Sequence, residues 1–215
     1  PTRFAMVELD RLIIGHPYVS LHHIERLKRQ LGPSPTPEAV FHFCVPLDRA
    51  EAPVKVRQAG PRRYLFMSES ADFRFMEAAL LRPDQVSGLS PFGAVSGVLG
   101  LLVGYGSNFL NVIQSGQRLL VNNGHHRAYA LRDLGFTHAP CIVQTVTRLD
   151  ELEITAAGAI LQDPSFYFAS KRPPILKDFF DPRIRKVHRV QRMMNMVEVS
   201  FEAKLLKKMR DFSGA

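Results

Sequence analysis

The chain has 215 residues, 46% of them hydrophobic, which is enough apolar material for one elaborated core and leaves no block with the composition of a disordered tail. Its net charge of +8 and pI near 9.8 favour anionic partners such as nucleotides, nucleic acid or phosphorylated ligands, and carry no information on fold. The longest apolar run, Gly93 to Gly106, is too short and too rich in glycine to span a bilayer, and the first residues lack the apolar core of a signal peptide, so the expectation is a cytoplasmic protein with no membrane association.

In chain order, "MVELDRLII" reads as a first strand, broken by "GHPY". "SLHHIERLKRQLG" reads as a helix capped by Ser20, with Leu21, Ile24, Leu27 and Leu31 on one face and Gly32 as its stop. After the stiff loop "PSPTP", the segments "VFHFCVPL", "APVKVRQ" and "RRYLFMS" read as three short strands, and "SADFRFMEAALLRP" as a helix capped by Ser70 with Phe73, Met76 and Leu80 in one stripe. The glycine-rich stretch Gly88 to Gly106 reads as a packed loop. "NFLNVI" and "QRLLVNN" form a hairpin around "QSGQ". A short helix and the strand "APCIVQTV" follow and complete a strand–helix–strand unit. "TRLDELEI" opens a further helix, with Thr147 and Asp150 spaced as a capping box. "MMNMVEVSFEAKLL" has mixed strand and helix character. The two cysteines, Cys44 and Cys141, lie in apolar runs and read as buried free thiols, which fits a reducing setting.

The chemistry concentrates in "LLVNNGHHRAYALRDLGF", Leu119 to Phe136, a strand, a tight polar turn and a helix. A helix N-terminus presents unpaired N–H groups and partial positive charge. Gly124 lets backbone approach a ligand, Asn122 and Asn123 suit the turn, and Arg127 is a planar two-pronged donor. His125 and His126 can donate, accept and titrate near neutral pH. These are the parts of a phosphate or pyrophosphate site; the alternative is an ordinary turn whose histidines cap neighbouring carbonyls.

"VNNGHHRAYALRDLGFTHAPCIVQ" resembles the strand–turn–helix–strand segment of the ParB/sulfiredoxin superfamily, and "MVELDRLII…VSLHHIERLKRQLG" resembles that family's first strand and helix. The resemblance covers about Met6 to Gly32 and Asn108 to Glu153. It implies a nucleotide-binding turn at Gly124, His125, His126 and Arg127, in a superfamily whose members include CTP-driven DNA partition clamps, sulfinic-acid reductases, free-serine kinases and nuclease-like proteins. Sulfiredoxin's cysteine is absent, its place held by His125. "GHHR" is nearest to the free-serine-kinase branch, yet Asn123 stands where that branch has Asp. That branch's Glu after the first strand has no counterpart between Arg11 and Ile24, and Glu8 and Glu25 are poor substitutes by position. No helix-turn-helix of the partition type follows. The nucleotide-binding scaffold is therefore expected with each known catalytic signature incomplete.

Among the other candidates, the adjacent pairs His22/His23 and His125/His126 lack the i, i+4 spacing of a helical metal pair, and a metal site would need His16 or His42 brought in by the fold, with Glu8; no metal site is assigned. Between Lys171 and Arg192 eight Lys or Arg accompany two Asp, a basic run that reads as a solvated face or a phosphate grip, with Phe166, Tyr167 and Phe168 before it suited to stacking or to core packing.

The sequence thus points to an α/β or α+β protein. Its mixed-sheet, ParB/sulfiredoxin-like core is expected over 1–32 and 108–155, with a strand-rich insertion, 33–107, packed on the core and a basic C-terminal extension over 156–215. The expected function is binding of a nucleotide (ATP or CTP class, with or without Mg) or a phosphorylated small molecule at Asn122, Asn123, Gly124 and Arg127, with Ser107 and Asn108 lining the pocket. A phosphotransferase or phosphohydrolase step there would use His125 or His126 as acid or base. The alternative is a non-enzymatic nucleic-acid or protein-binding module using the basic C-terminal surface.

Overall fold

The computed structural model describes residues 1–47, 52–70, 72–88, 94–106, 108–148, 151, 162–190 and 195–204. In chain order its regular elements begin with strands β1 (Thr2–Glu8) and β2 (Ile13–Ile14) and helices α1 (Leu21–Leu31) and α2 (Pro37–Cys44). Strands β3 (Lys55–Gly60), β4 (Arg63–Ser68), β5 (Phe73–Leu81) and β6 (Val98–Tyr105) come next, then β7 (Asn111–Ser115) and β8 (Arg118–Asn123). Helix α3 (His125–Asp133), β9 (His138–Thr145), helix α4 (Pro164–Phe168) and β10 (Asn195–Ser200) follow among the described residues. The structure is mixed α+β and forms two compact units, Pro1–Arg49 with Ser107–Arg189, and Ala50–Gly106 with Val190–Ala215. Residues 33–49, read from sequence as the start of the insertion, thus fall in the first unit, and the C-terminal part divides at 189/190.

The first unit is a five-stranded sheet in the order β1-β9-β7-β8-β2. β1 runs antiparallel to β9, β7 parallel to β9 and antiparallel to β8, and β2 parallel to β8. The expected hairpin and strand–helix–strand unit are present, with β7 inserted between β8 and β9. The single first strand read from "MVELDRLII" is two: a 3-10 turn at Leu9–Arg11 divides β1 from β2 and buries Leu9. Helix α1 starts where expected, with the Ser20 hydroxyl accepting from His23 N at 3.3 Å, and ends at Gly32. Its buried residues Ile24 and Leu27 join Leu131, Val112, Val121, Ala139 and Cys141 in one apolar core. Cys44 and Cys141 are buried free thiols, and burial pushes both up to about 12.

"VFHFCVPL" is not a strand. The Thr36 hydroxyl accepts from Ala39 N at 3.2 Å, Pro37 occupies the first turn, and a helix follows whose Val40, Phe43 and Cys44 share the buried face. Threonine as N-cap with proline just inside the helix outweighs the aromatic, β-favouring composition.

In the second unit, β4 lies between β3 and β10 in an antiparallel sheet, and β5 pairs antiparallel with β6. "SADFRFMEAALLRP" is therefore a strand rather than a helix, and much of the glycine-rich stretch is its partner. The apolar residues of β5 find a complementary strand in β6, with Phe73 opposite Tyr105 and Leu81 opposite Val98, and this non-local pairing overrides a helix-compatible spacing. The Asn195 amide donates to Ser70 O and Phe73 O at 3.2 and 3.3 Å, fixing the start of β5. The capping-box Asp150 and most of the helix expected after it lie outside the described residues; of that motif, Thr147 N donates to the Glu151 carboxylate at 2.8 Å. "MMNMVEVSFEAKLL" contributes β10, and its residues from 205 on lie outside the described residues. No helix among the described residues is long and apolar enough to cross a membrane.

The turn from β8 into α3 depends on one glycine. Gly124 has φ 89°, and a Cβ there would lie 2.8 Å from Leu110 Cα. Gly116, in the β7–β8 turn, has φ 58° with nothing within 4 Å of such a Cβ. Gly116→Ala is expected to cost about 1–2 kcal/mol from left-handed strain alone. Gly124→Ala adds a collision with buried backbone and should cost distinctly more. Urea unfolding of both variants checks this; equal losses would contradict it.

Candidate functional site

Parallel pairing of Ile14 with Val121 carries the chain after β2 alongside the chain after β8. Two connections therefore emerge together at one end of the sheet: Gly15 to Ser20, leading into α1, and Gly124, leading from the end of β8 into α3. The outcome is a cluster of four imidazoles. His16 stacks on His125 with centroids 4.2 Å apart and planes at 20°. His125 lies 4.1 Å from His126, and His23 meets His126 edge-on at 5.0 Å. The sequence picks out His125 and His126; it does not indicate His23, whose partner comes from another helix. His42, the other histidine considered, stands on α2 with its Nε2 3.9 Å from Glu38.

Two hydrogen bonds define charge states here. Ser20 N–H donates to His126 Nε2 at 3.0 Å, so that nitrogen is an unprotonated acceptor. Arg26 donates to His23 Nδ1 at 2.9 Å, and a guanidinium has no acceptor, so that nitrogen is unprotonated too. Burial acts the same way. It lowers His125 to about 3 and His126 to about 2, with the neighbouring imidazoles, and Arg127 for His126, adding to the effect. Burial also lowers His16. His16, His125 and His126 are thus all biased toward the uncharged ring. Among the described residues no group of three or more His, Cys, Asp or Glu is placed to hold a metal ion.

Gly124 is the N-cap of α3, with no side chain capping the first turn, and its own N–H donates to Asn123 Oδ1 at 2.8 Å. Asn122, His125 and His126 are half-buried. Arg127 is 7% exposed, behind the turn rather than on it. Its Nη1 donates to both the backbone oxygen and Oδ1 of Asn108, and its Cζ lies 5.8 Å from the Phe43 ring centroid. Asn108 is thus brought to the turn through Arg127. Ser107 lies outside the described residues. Helices α1 and α3 are tied further along by Lys28 and Asp133 at 2.6 Å.

The basic run from Lys171 is partly neutralised in place: Arg172 pairs with Asp178 at 2.5 Å and Arg183 with Asp181 at 2.7 Å. Tyr167 and Phe168 pack against Ile13 and Leu120, while Phe166 is 47% exposed. Two cavities, of about 400 and 500 Å³, open on this side of the unit, and neither is lined by a residue of the Asn122–Arg127 turn.

Comparison of the chain with protein-family models, with curated proteins and with solved structures finds no match. The site's own chemistry carries its interpretation.

Histidines held neutral when folded and free to protonate when unfolded make stability depend on pH with a definite sign. Their contribution is complete above the ordinary imidazole value of 6.5 and is lost progressively as pH falls from there toward 3. Each contributes a slope of about 1.4 kcal/mol per pH unit in that window. Urea midpoints measured from pH 7.5 to 4.5 should therefore fall steeply, and His125→Gln should flatten the slope. Midpoints independent of pH would contradict the neutral cluster.

Proposed function

We propose that the protein binds a nucleotide or a phosphorylated small molecule at the turn Asn122 to Arg127, on a ParB/sulfiredoxin-like core. The observation that carries this reading is the start of α3. Its N-cap is a left-handed glycine, so no N-cap side chain takes a hydrogen bond from the first-turn amides, and the buried Arg127 adds positive charge behind them. Backbone donors and helix polarity at such an end favour an anion. The resemblance of "GHHR" and its flanks to the family's nucleotide-binding turn supports the same reading. The ligand would be of the ATP or CTP class or a simpler phosphate, with or without magnesium.

Asn122 and Asn123 shape the turn and Asn108 is held beside it, so these residues would line the ligand's phosphates. Arg127 acts by its charge and by positioning Asn108. A phosphotransfer or phosphohydrolysis step would use His125 or His126 as acid or base. An arriving phosphate dianion would raise both from their depressed values, because it favours the imidazolium.

A ligand that binds the folded state alone stabilises it by about 2.7 kcal/mol at a hundredfold excess over Kd, a rise in Tm of roughly 5–10 °C for a chain of this size. Thermal unfolding with pyrophosphate, ADP, ATP, CTP and GTP, each with and without magnesium, should show such a rise for at least one. Arg127→Ala should lose most of the ligand-induced increment, whatever it does to the unliganded Tm. His125→Ala should retain much of it and abolish any turnover. A flat response across the panel from folded protein would return the histidines to a capping role.

A further inference from the structure

A separate feature lies at the other end of β8. Glu8, Arg11, Ile13, Gln117, Arg118, Leu119, Arg172, Pro173 and Ile175 line a cavity of about 400 Å³, within the range of small-molecule sites. β8 runs from Arg118 to Asn123, and at the rise of a strand this sets the cavity about 17 Å from the turn.

In the cavity of about 500 Å³ each arginine is closed onto a carboxylate, Arg132 on Asp10 at 2.9 Å, Arg172 on Asp178 and Arg183 on Asp181, and Lys177 also lines the wall. In the smaller one, Arg172 is neutralised by Asp178, and Arg11 approaches Glu8 at 3.7 Å. Arg118 differs. Its guanidinium is part-buried and donates to two carbonyls, Tyr167 O at 3.0 Å and Ser170 O at 2.7 Å. Among the described residues it has no carboxylate partner. A guanidinium carries five N–H donors, and two of them are spent on those carbonyls. The cavity thus holds one cationic group held in place by backbone and uncompensated in charge, against apolar walls from Ile13, Leu119, Pro173 and Ile175.

We propose that this cavity binds a small apolar monocarboxylate, its carboxylate on Arg118 and its hydrocarbon body against Ile13, Leu119 and Ile175. One uncompensated positive charge matches a monoanion, and a fixed guanidinium matches the planar fork of a carboxylate. The exposed Arg11 stands at the rim beside Glu8 at 3.7 Å, so reversing its charge there would repel an incoming anion. The site is independent of the turn at α3.

Calorimetric titration of the full chain with benzoate, benzamide and phenyl phosphate tests this. Benzoate should bind at one site, and benzamide, nearly the same shape without the charge, at least tenfold more weakly. Phenyl phosphate, a dianion facing one uncompensated charge, should not exceed benzoate. Arg118→Gln should weaken benzoate at least tenfold. Because that change also removes contacts to Tyr167 and Ser170, Arg11→Glu serves as a second variant. It sits on an exposed side chain and should weaken benzoate about threefold or more with the unfolding midpoint little changed. Absent saturable benzoate binding, equal binding of benzamide, tighter binding of phenyl phosphate, or unchanged affinity in Arg11→Glu would each overturn the proposal.

Discussion

The contact of Gly124 with Leu110 is the constraint on which the candidate site of the first unit depends. Leu110 is fully buried, and its backbone is used on both sides. Its N–H donates to Cys44 O at 2.7 Å, and its C=O accepts from Ile142 N at 3.0 Å and from Cys141 Sγ at 3.3 Å. The end of α2, strand β9 and the approach to β7 thus meet at one residue. The turn into α3 can pass over it only without a Cβ. Closing that gap places His125 and His126 where the loop after β2 delivers His16 and the cap of α1.

Electrostatics at this junction follows from packing. Four imidazoles cannot share so small a volume as cations, and the amide of Ser20 and the guanidinium of Arg26 present donors that a protonated nitrogen could not accept. Neutrality is thus imposed by hydrogen-bond geometry as well as by burial. Arg127, strongly buried at the site, donates to the backbone and side-chain oxygens of Asn108.

Much of this arrangement is legible in the sequence where local signals are strong. Ser20 and Gly32 bracket α1, and "VNNGHHR" marks the strand, turn and helix start because asparagine, glycine and the apolar run each have one ready structural use. The signals fail where pairing is distant. Nothing in "DFRFMEAALL" reveals that Val98–Tyr105 will lie beside it, so an apolar spacing compatible with a helix becomes a strand. At Thr36–Pro37 the cap is present, but the aromatic residues that follow it favour a strand. The histidine cluster was half legible. His125 and His126 stand out by position. His16 and His23 join them only through the parallel pairing of Ile14 with Val121 and the packing of α1 on α3, and neither leaves a mark in the spacing of histidines. The placement of Arg127 behind the turn, instead of on it, likewise follows from the close packing of α3 against Phe43 and Asn108.

The central claim, that the start of α3 receives a phosphate, is tested most directly by amide resonances. Titrating isotope-labelled protein with pyrophosphate should shift the backbone N–H signals of His125, His126 and Arg127 together and saturably, with the largest displacement at the first turn of α3 and with side-chain changes at Asn108. Shifts confined to the exposed basic residues after Lys171, or none at α3 at concentrations that saturate binding, would contradict the account.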